Sequence, residues 1–148
     1  MIVSLRKANI SDSDLILSWR NDPRTRKYFN DSNPIPPLKH RRWLKEFLEG
    51  QNWLFIGEAF GCLPIGVIRF DLNVECNTYI VSIYVDPDKH GNGWGTALLK
   101  AGVEFLGDAS DITAMIFPKN TASVKLFKKF GFKKTGPLEF TRKRKGKK

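Results

Sequence analysis

Apolar and polar positions change rhythm several times along this chain, and each rhythm predicts an element. Residues 3–6, Val-Ser-Leu-Arg, alternate and predict a short first strand. Ser11-Asp12-Ser13-Asp14 then supplies a helix start, with Ser11 as the N-cap candidate and acidic residues in the first turn. That helix runs through residues 15–21 and stops before Pro23, because a residue preceding proline is pushed out of the α region. Residues 30–37 read as loop. The next helix has the strongest period: Trp43, Leu44, Phe47 and Leu48 recur on one face, charged residues separate them, and Gly50 ends it.

The second half alternates strands and helices. Residues 53–60 and 65–71 predict a hairpin around Gly61-Cys62-Leu63-Pro64. Residues 79–85 form a β-branched fourth strand. Residues 97–106 predict a third helix that turns Leu98, Leu99, Gly102, Val103 and Leu106 to one face. A fifth strand over 112–117, a fourth helix over 122–130 and short strands near 132–134 and 138–142 complete the order β-α-α-β-β-β-α-β-α-β-β. There are no repeats and no linker. The reading is one mixed α/β domain over residues 1–141, followed by a basic tail over 142–148.

Composition narrows the classes. The chain has 148 residues, enough to bury its own core. No apolar run has the length of a membrane span and the start lacks a signal peptide's apolar region, so the expected compartment is the cytoplasm and no membrane partner is expected. Cys62 and Cys76 have no metal spacing and read as free thiols; no metal is expected. The net charge of +10 invites a nucleic-acid reading, but the last seven residues carry six positive charges and leave +4 on the rest. No stacking motif of the RNA-binding modules is present, so nucleic acid is not the expected partner.

The candidate chemistry sits at Gly91-Asn92-Gly93-Trp94-Gly95, between a strand and a helix. A glycine loop feeding a helix N-terminus can hold an anion, because the first N–H groups of the helix lack partners. A Walker loop needs Lys and Ser/Thr after its last glycine, and the dinucleotide fingerprint needs G-x-G-x-x-G; neither spacing is met.

A second stretch, Asn120-Thr-Ala-Ser123-Val-Lys-Leu-Phe127-Lys-Lys-Phe-Gly131-Phe132, changes the picture. Together the two stretches resemble the GCN5-related N-acetyltransferases, the GNAT family. That family's pyrophosphate loop, Arg/Gln-x-x-Gly-x-Gly/Ala, is occupied here by His90 to Gly95. Its next helix commonly reads Asn-x-x-Ser-x-x-x-Tyr-x-x-x-Gly-Phe. The resemblance is best over residues 65–134. It implies the GNAT fold, a twisted mixed sheet of about seven strands with four helices on both faces, and acetyl-CoA as cofactor. It implies that Ile83, Tyr84 and Val85 offer backbone groups to the pantetheine arm. The Ile83 N–H would polarise the thioester carbonyl. His90, Gly91, Asn92, Gly93, Trp94, Gly95 and Thr96 would hold the pyrophosphate end. Asn120, Ser123 and Phe127 would line the arm.

Two departures bear on mechanism. His90 stands where the family has Arg or Gln. Phe127 stands where many members have a tyrosine that protonates the leaving thiolate, so solvent or another group, Tyr84 or Tyr79, must do so. The fourth strand has no carboxylate, and its polar side chains near the reaction centre are Ser82, Tyr79 and Tyr84. That suits an acceptor amine of low pKa better than a lysine side chain.

In the first half, Trp19-Arg20-Asn21, Arg26 and His40-x-x-Trp43 resemble acetyltransferases of nucleotide-linked amino sugars, pseudaminic-acid pathway type. The resemblance implies an acceptor site at Trp19, Arg20, Asn21, Arg26 and His40, with His40 also a candidate base alongside Ser82 and Tyr79. The alternative acceptors are peptide or ribosomal-protein amines. A non-catalytic acyl-CoA-binding module and a homodimer stay open.

Overall fold

The computed structural model describes residues 1–29 and 32–145. Seven strands form one sheet: β1 (Ser4–Lys7), β2 (Trp53–Ala59), β3 (Leu63–Asn73), β4 (Thr78–Val85), β5 (Asp111–Met115), β6 (Lys133–Lys134) and β7 (Glu139–Arg142). Their order across the sheet is β1-β2-β3-β4-β5-β7-β6. Only β4 and β5 run parallel; the other neighbours are antiparallel. The five helices are α1 (Ser13–Asn21), α2 (Pro23–Arg26), α3 (Pro37–Glu49), α4 (Trp94–Leu106) and α5 (Thr121–Lys129). The mixed α/β sheet with helices on both faces is the GNAT fold that the sequence implied.

Each face of the sheet carries its own core. On one, Leu98, Leu99 and Val103 of α4 and Phe127 of α5 pack on Ile65, Ile68, Phe70, Val81 and Val85. On the other, Ile16 and Trp19 of α1 and Leu44 and Phe47 of α3 pack on Leu54, Ile56 and Val67. Full burial of such side chains contributes about 1.5–3 kcal/mol each. The alternation along β2 and β3 serves both faces, which is why these strands read as nearly continuous apolar runs.

Three expectations change in detail. The first helix does not start at Ser11. Asn9 caps a single tight turn, Ile10–Asp12, and Asp12 closes a reciprocal capping box onto the Asn9 N–H, from which α1 continues. Pro23 ends α1 but also opens α2, a helix absent from the expected order. Its ring is compatible with the first helical position, and the Asp22 carboxylate accepts the Arg24 N–H at 2.9 Å. Pro37, expected in the loop, is the first residue of α3; Asn30 and Asp31 of that loop lie outside the described residues. At the other end, Arg142 closes β7, within the short strand expected near 138–142. Its guanidinium meets Asp108 at 3.1 Å, and the Arg144 N–H meets Asp111 at 2.7 Å. Cys62 and Cys76 are exposed free thiols. Among the described residues, no helix is long and apolar enough to cross a membrane.

Candidate active site

A cleft of about 700 Å³ opens where β4 and β5 part. The two strands pair at Thr78↔Asp111, Tyr79↔Ile112 and Ile80↔Thr113, and pairing stops there. Each then follows its other neighbour: the Asp86 N–H donates to the Ile65 carbonyl at 2.8 Å, and the Ile116 N–H to the Leu138 carbonyl at 2.8 Å. Backbone groups on an antiparallel strand alternate between its two sides. Since Asp86 faces β3, so do Tyr84 and Ser82. Val81, Ile83 and Val85 therefore present their N–H and C=O groups to the gap. Side chains alternate perpendicular to this. Val81, Ile83 and Val85 join the α4–α5 core, while Tyr84 packs on the α1–α3 side, the side to which Ser82 also belongs.

The glycine loop forms one end of the cleft. A turn at Pro87–Lys89, capped by Asp86, delivers the chain to His90, whose Nε2 lies 3.1 Å from the Val85 carbonyl oxygen. Gly91 and Gly93 have φ of +79° and +84°, a region that side-chain-bearing residues enter at a cost. Gly93 is the N-cap of α4 and provides no capping side chain, so the first N–H groups of this 13-residue helix stay open toward the cleft. An anionic pyrophosphate group fits that end, and an extended amide-bearing arm fits the unpaired edges of β4 and β5. Across the gap, Asn120 and Ser123 line the cleft. Asn120 Oδ1 accepts the Ser123 N–H at 3.3 Å, so Asn120 caps α5 and keeps its amide donors for the cleft. Phe127 is buried edge-on against Phe132, with centroids 5.0 Å apart, and carries no proton to give.

The opposite wall joins sheet residues Arg69, Ser82 and Tyr84 to Arg24, Thr25, Tyr28 and Phe29. Arg69 is held from two sides. Its Nε lies 3.0 Å from Asp71 Oδ1, and its guanidinium stands 5.2 Å from the centre of the Trp43 ring. Burial pushes the Asp71 carboxyl up, and the Arg69 charge works against that. Burial also pushes the Tyr84 phenol up to about 12, so it is a neutral donor. The Thr25 hydroxyl is buried without a hydrogen-bond partner among the described residues.

Several expected site residues lie elsewhere. His40 is 3% exposed, beneath α1, with Nδ1 3.0 Å from Ser13 Oγ. Burial lowers its pKa, helped by the Arg20 charge. It is not among the residues that line the cleft. Trp19 is core, because its face of α1 packs on the sheet. Asn21 clamps the chain at Ile35, accepting the Ile35 N–H at 2.8 Å and donating to its carbonyl at 2.9 Å. Tyr79 points into the α4–α5 core, edge-on to Phe70, and is absent from the cleft lining. Asn92 donates to loop carbonyls, and Thr96 lies in the first turn of α4 outside the lining. Arg20 stacks on Phe29 at 3.8 Å, and Arg26 lines a neighbouring recess. Arg69 is not among the site residues singled out from the sequence. A sharper signal was the charged pair Arg69 and Asp71 two residues apart, on either side of the buried Phe70 and just past the buried run 65–68.

Comparison with known proteins bears on this geometry. The chain is 29% identical over 157 residues to the uncharacterized N-acetyltransferase p20 of Bacillus licheniformis, spanning 97% of this chain and 86% of that one. It is 29% identical over 142 residues to the putative phosphinothricin acetyltransferase YwnH of Bacillus subtilis strain 168, spanning 90% and 86%. The structure of AAC(6')-Ib in complex with ribostamycin and coenzyme A superposes with a TM-score of 0.84 at 18% identity, over 97% of this chain and 94% of that chain, a likeness of fold. The acetyltransferase (GNAT) domain matches residues 3–133. With a parted strand pair, a glycine loop at a helix N-terminus and a match over most of its length, the chain belongs to the GNAT family of acetyl-CoA-dependent N-acetyltransferases.

Proposed function

We propose that this enzyme acetylates the primary amine of a nucleotide-linked amino sugar. One observation carries the reading: every charged residue lining the cleft is basic. Arg24, Arg69 and Lys89 are there with His90; each of the three cations is paired to an aspartate behind the wall, and among the described residues no carboxylate lines the cleft itself. A polycationic acceptor needs carboxylates to hold its ammonium groups, whereas an anionic acceptor is drawn to such a wall. The missing carboxylate also supports an amine that loses its proton without a strong base. A sugar amine is of that kind, because neighbouring oxygens withdraw electron density.

Bound acetyl-CoA supplies an activated acetyl group: the amine nitrogen bonds to the thioester carbon, the C–S bond breaks, the amine loses a proton and CoA leaves as the thiol. The Ile83 N–H, directed into the gap, donates to the carbonyl oxygen as it gains charge. Val81 and Val85 flank it along the same edge. The open N–H groups behind Gly93, with His90, Gly91 and Gly95, hold the pyrophosphate. Trp94 packs the loop on the body of the protein, edge-on to Phe60. Asn120 and Ser123 bond the amides of the arm. Ser82 and the neutral Tyr84 phenol offer hydrogen bonds to acceptor hydroxyls, and Arg69, braced by Asp71, attracts its negative charge.

A CoA-release assay tests the reading, comparing nucleotide-linked 4-amino sugars with peptide amines, an amino-acid acceptor such as phosphinothricin, and spermidine. Turnover of the nucleotide-linked sugar at least tenfold above the others is expected. Preference for peptides, the amino acid or the polyamine overturns it.

A further inference from the structure

We propose that a basic recess beside the cleft, between α2 and the β5–α5 connection, binds the diphosphate of the acceptor's nucleotide carrier. The proposal rests on the acceptor reading above. The recess has a volume of about 700 Å³, and its walls include Arg26, Lys27, Phe29, Phe117 and Lys119. Three cations from two separate parts of the chain meet there, and among the described residues no carboxylate lines it.

The contrast with Arg24 is informative. Its guanidinium, on the same short helix, is held by Asp22 at 2.9 Å and Asp88 at 3.0 Å, so its charge is neutralised within the fold. None of Arg26, Lys27 and Lys119 has an ion-pair partner among the described residues; Lys27 makes only a contact at 4.9 Å with the Tyr28 ring. Three like charges around one hollow repel, and an anion between them relieves that repulsion. Arginine with lysines is also the side-chain set that suits phosphate oxygens.

Continuity with the cleft sets the kind of anion. Phe29 and Phe117 line both the recess and the cleft. A single ligand can therefore pass between their rings, with its amine near Ile83 and its negative charge in the recess. A sugar nucleotide has this layout, since the sugar ring separates the amine from the diphosphate. Phe29 is fixed in place, with Arg20 stacked at 3.8 Å and Tyr84 edge-on at 6.1 Å. The two phenylalanines offer ring surface to the sugar where it passes from the cleft into the recess.

The test uses the full chain saturated with CoA, so that the glycine loop is filled. Uridine diphosphate, thymidine diphosphate and inorganic pyrophosphate are titrated calorimetrically. A nucleoside diphosphate is expected to bind, and Arg26→Glu with Lys119→Glu is expected to weaken it at least tenfold. Lys100→Glu, on the exposed side of α4, should leave it within twofold. The double variant should lower kcat/KM for the nucleotide-linked amine by a similar factor and spare the free amino sugar. Absence of diphosphate binding to the CoA-loaded protein, or binding indifferent to Arg26 and Lys119, overturns the proposal. Diphosphate binding that depends on both residues, with no turnover of the nucleotide-linked amine, supports the recess as a diphosphate site and overturns the acceptor reading instead.

Discussion

His90 Nε2 stands 3.1 Å from the carbonyl oxygen of Val85, tying the glycine loop to the last residue of β4. A carbonyl only accepts, so Nε2 holds the proton and donates. The bond ties the pyrophosphate end of the cleft to the edge that carries Ile83. Loss of one such bond costs about 1 kcal/mol, roughly fivefold in an equilibrium constant. His90→Ala is therefore expected to raise KM for acetyl-CoA about fivefold and leave kcat within twofold. His90→Gln, which keeps a donor, should recover most of the loss. A fall in kcat without a change in KM would give His90 a role in the chemistry.

Phe127 lines the cleft where many family members carry a proton-donating tyrosine, and the residue packed on it is another phenylalanine, Phe132. No donor therefore stands at this position for the departing sulfur. Phe127→Tyr is expected to raise kcat by about threefold or more, within the reach of general acid catalysis. Rapid-quench and steady-state rates, compared with the parent protein, would show it. An unchanged kcat would mean that thiol protonation is not limiting.

The geometry of the glycine loop and of the two helix starts beside the cleft was legible in the sequence because local chain chemistry determines it. Glycines with positive φ, an uncapped helix start and Asn120 as an N-cap each act on chain only a few residues away. The acceptor half was not, because it depends on register across the sheet and on which face of a helix turns inward. His40 and Trp19 sit on helices at spacings that suit a site or a core equally well, and packing chose the core. Tyr79 and Ser82 are three residues apart on one strand, so alternation sends them to opposite faces. Arg69 came from a neighbouring strand, and only the pairing Arg69↔Ser82 brings it to the wall. The helix at Pro23 was missed because a proline that breaks one helix can begin the next.

His40 gives a pH test of its placement. Burial lowers its folded pKa below the ordinary imidazole value of 6.5, so the unfolded chain binds more protons between the two values. Stability is therefore full above pH 6.5 and is lost as pH falls through the window just below it. His40→Gln removes that slope. Urea midpoints of parent and variant at pH 8 and at pH 5.5 should differ in that direction, with the parent losing more on acidification. At pH 8 the variant should be less stable by about 1–3 kcal/mol, since a buried pair with Ser13 is disturbed. If His40 were the base, kcat would fall by about a hundredfold or more; it is expected to stay within threefold.

Gly66 and Gly102 separate damage to the core from damage to the cleft. A Cβ on Gly66 would lie 2.7 Å from the Tyr84 carbonyl oxygen and 3.0 Å from the Val85 Cα, both backbone of β4. A strand cannot yield there without shifting the edge that carries Ile83. A Cβ on Gly102 would strike the side chains of Ile68 and Phe70 instead, which lie in the core away from the cleft. Overpacking of this kind costs about 1–3 kcal/mol in either case, about 2–10 °C in Tm for a domain of this size. Gly66→Ala is expected to lower kcat at least tenfold at temperatures where the protein remains folded. Gly102→Ala should lose comparable Tm and keep kcat within twofold. Equal loss of kcat in both variants would mean that β4 gives way wherever the core is strained, and that its edge is not held by β3.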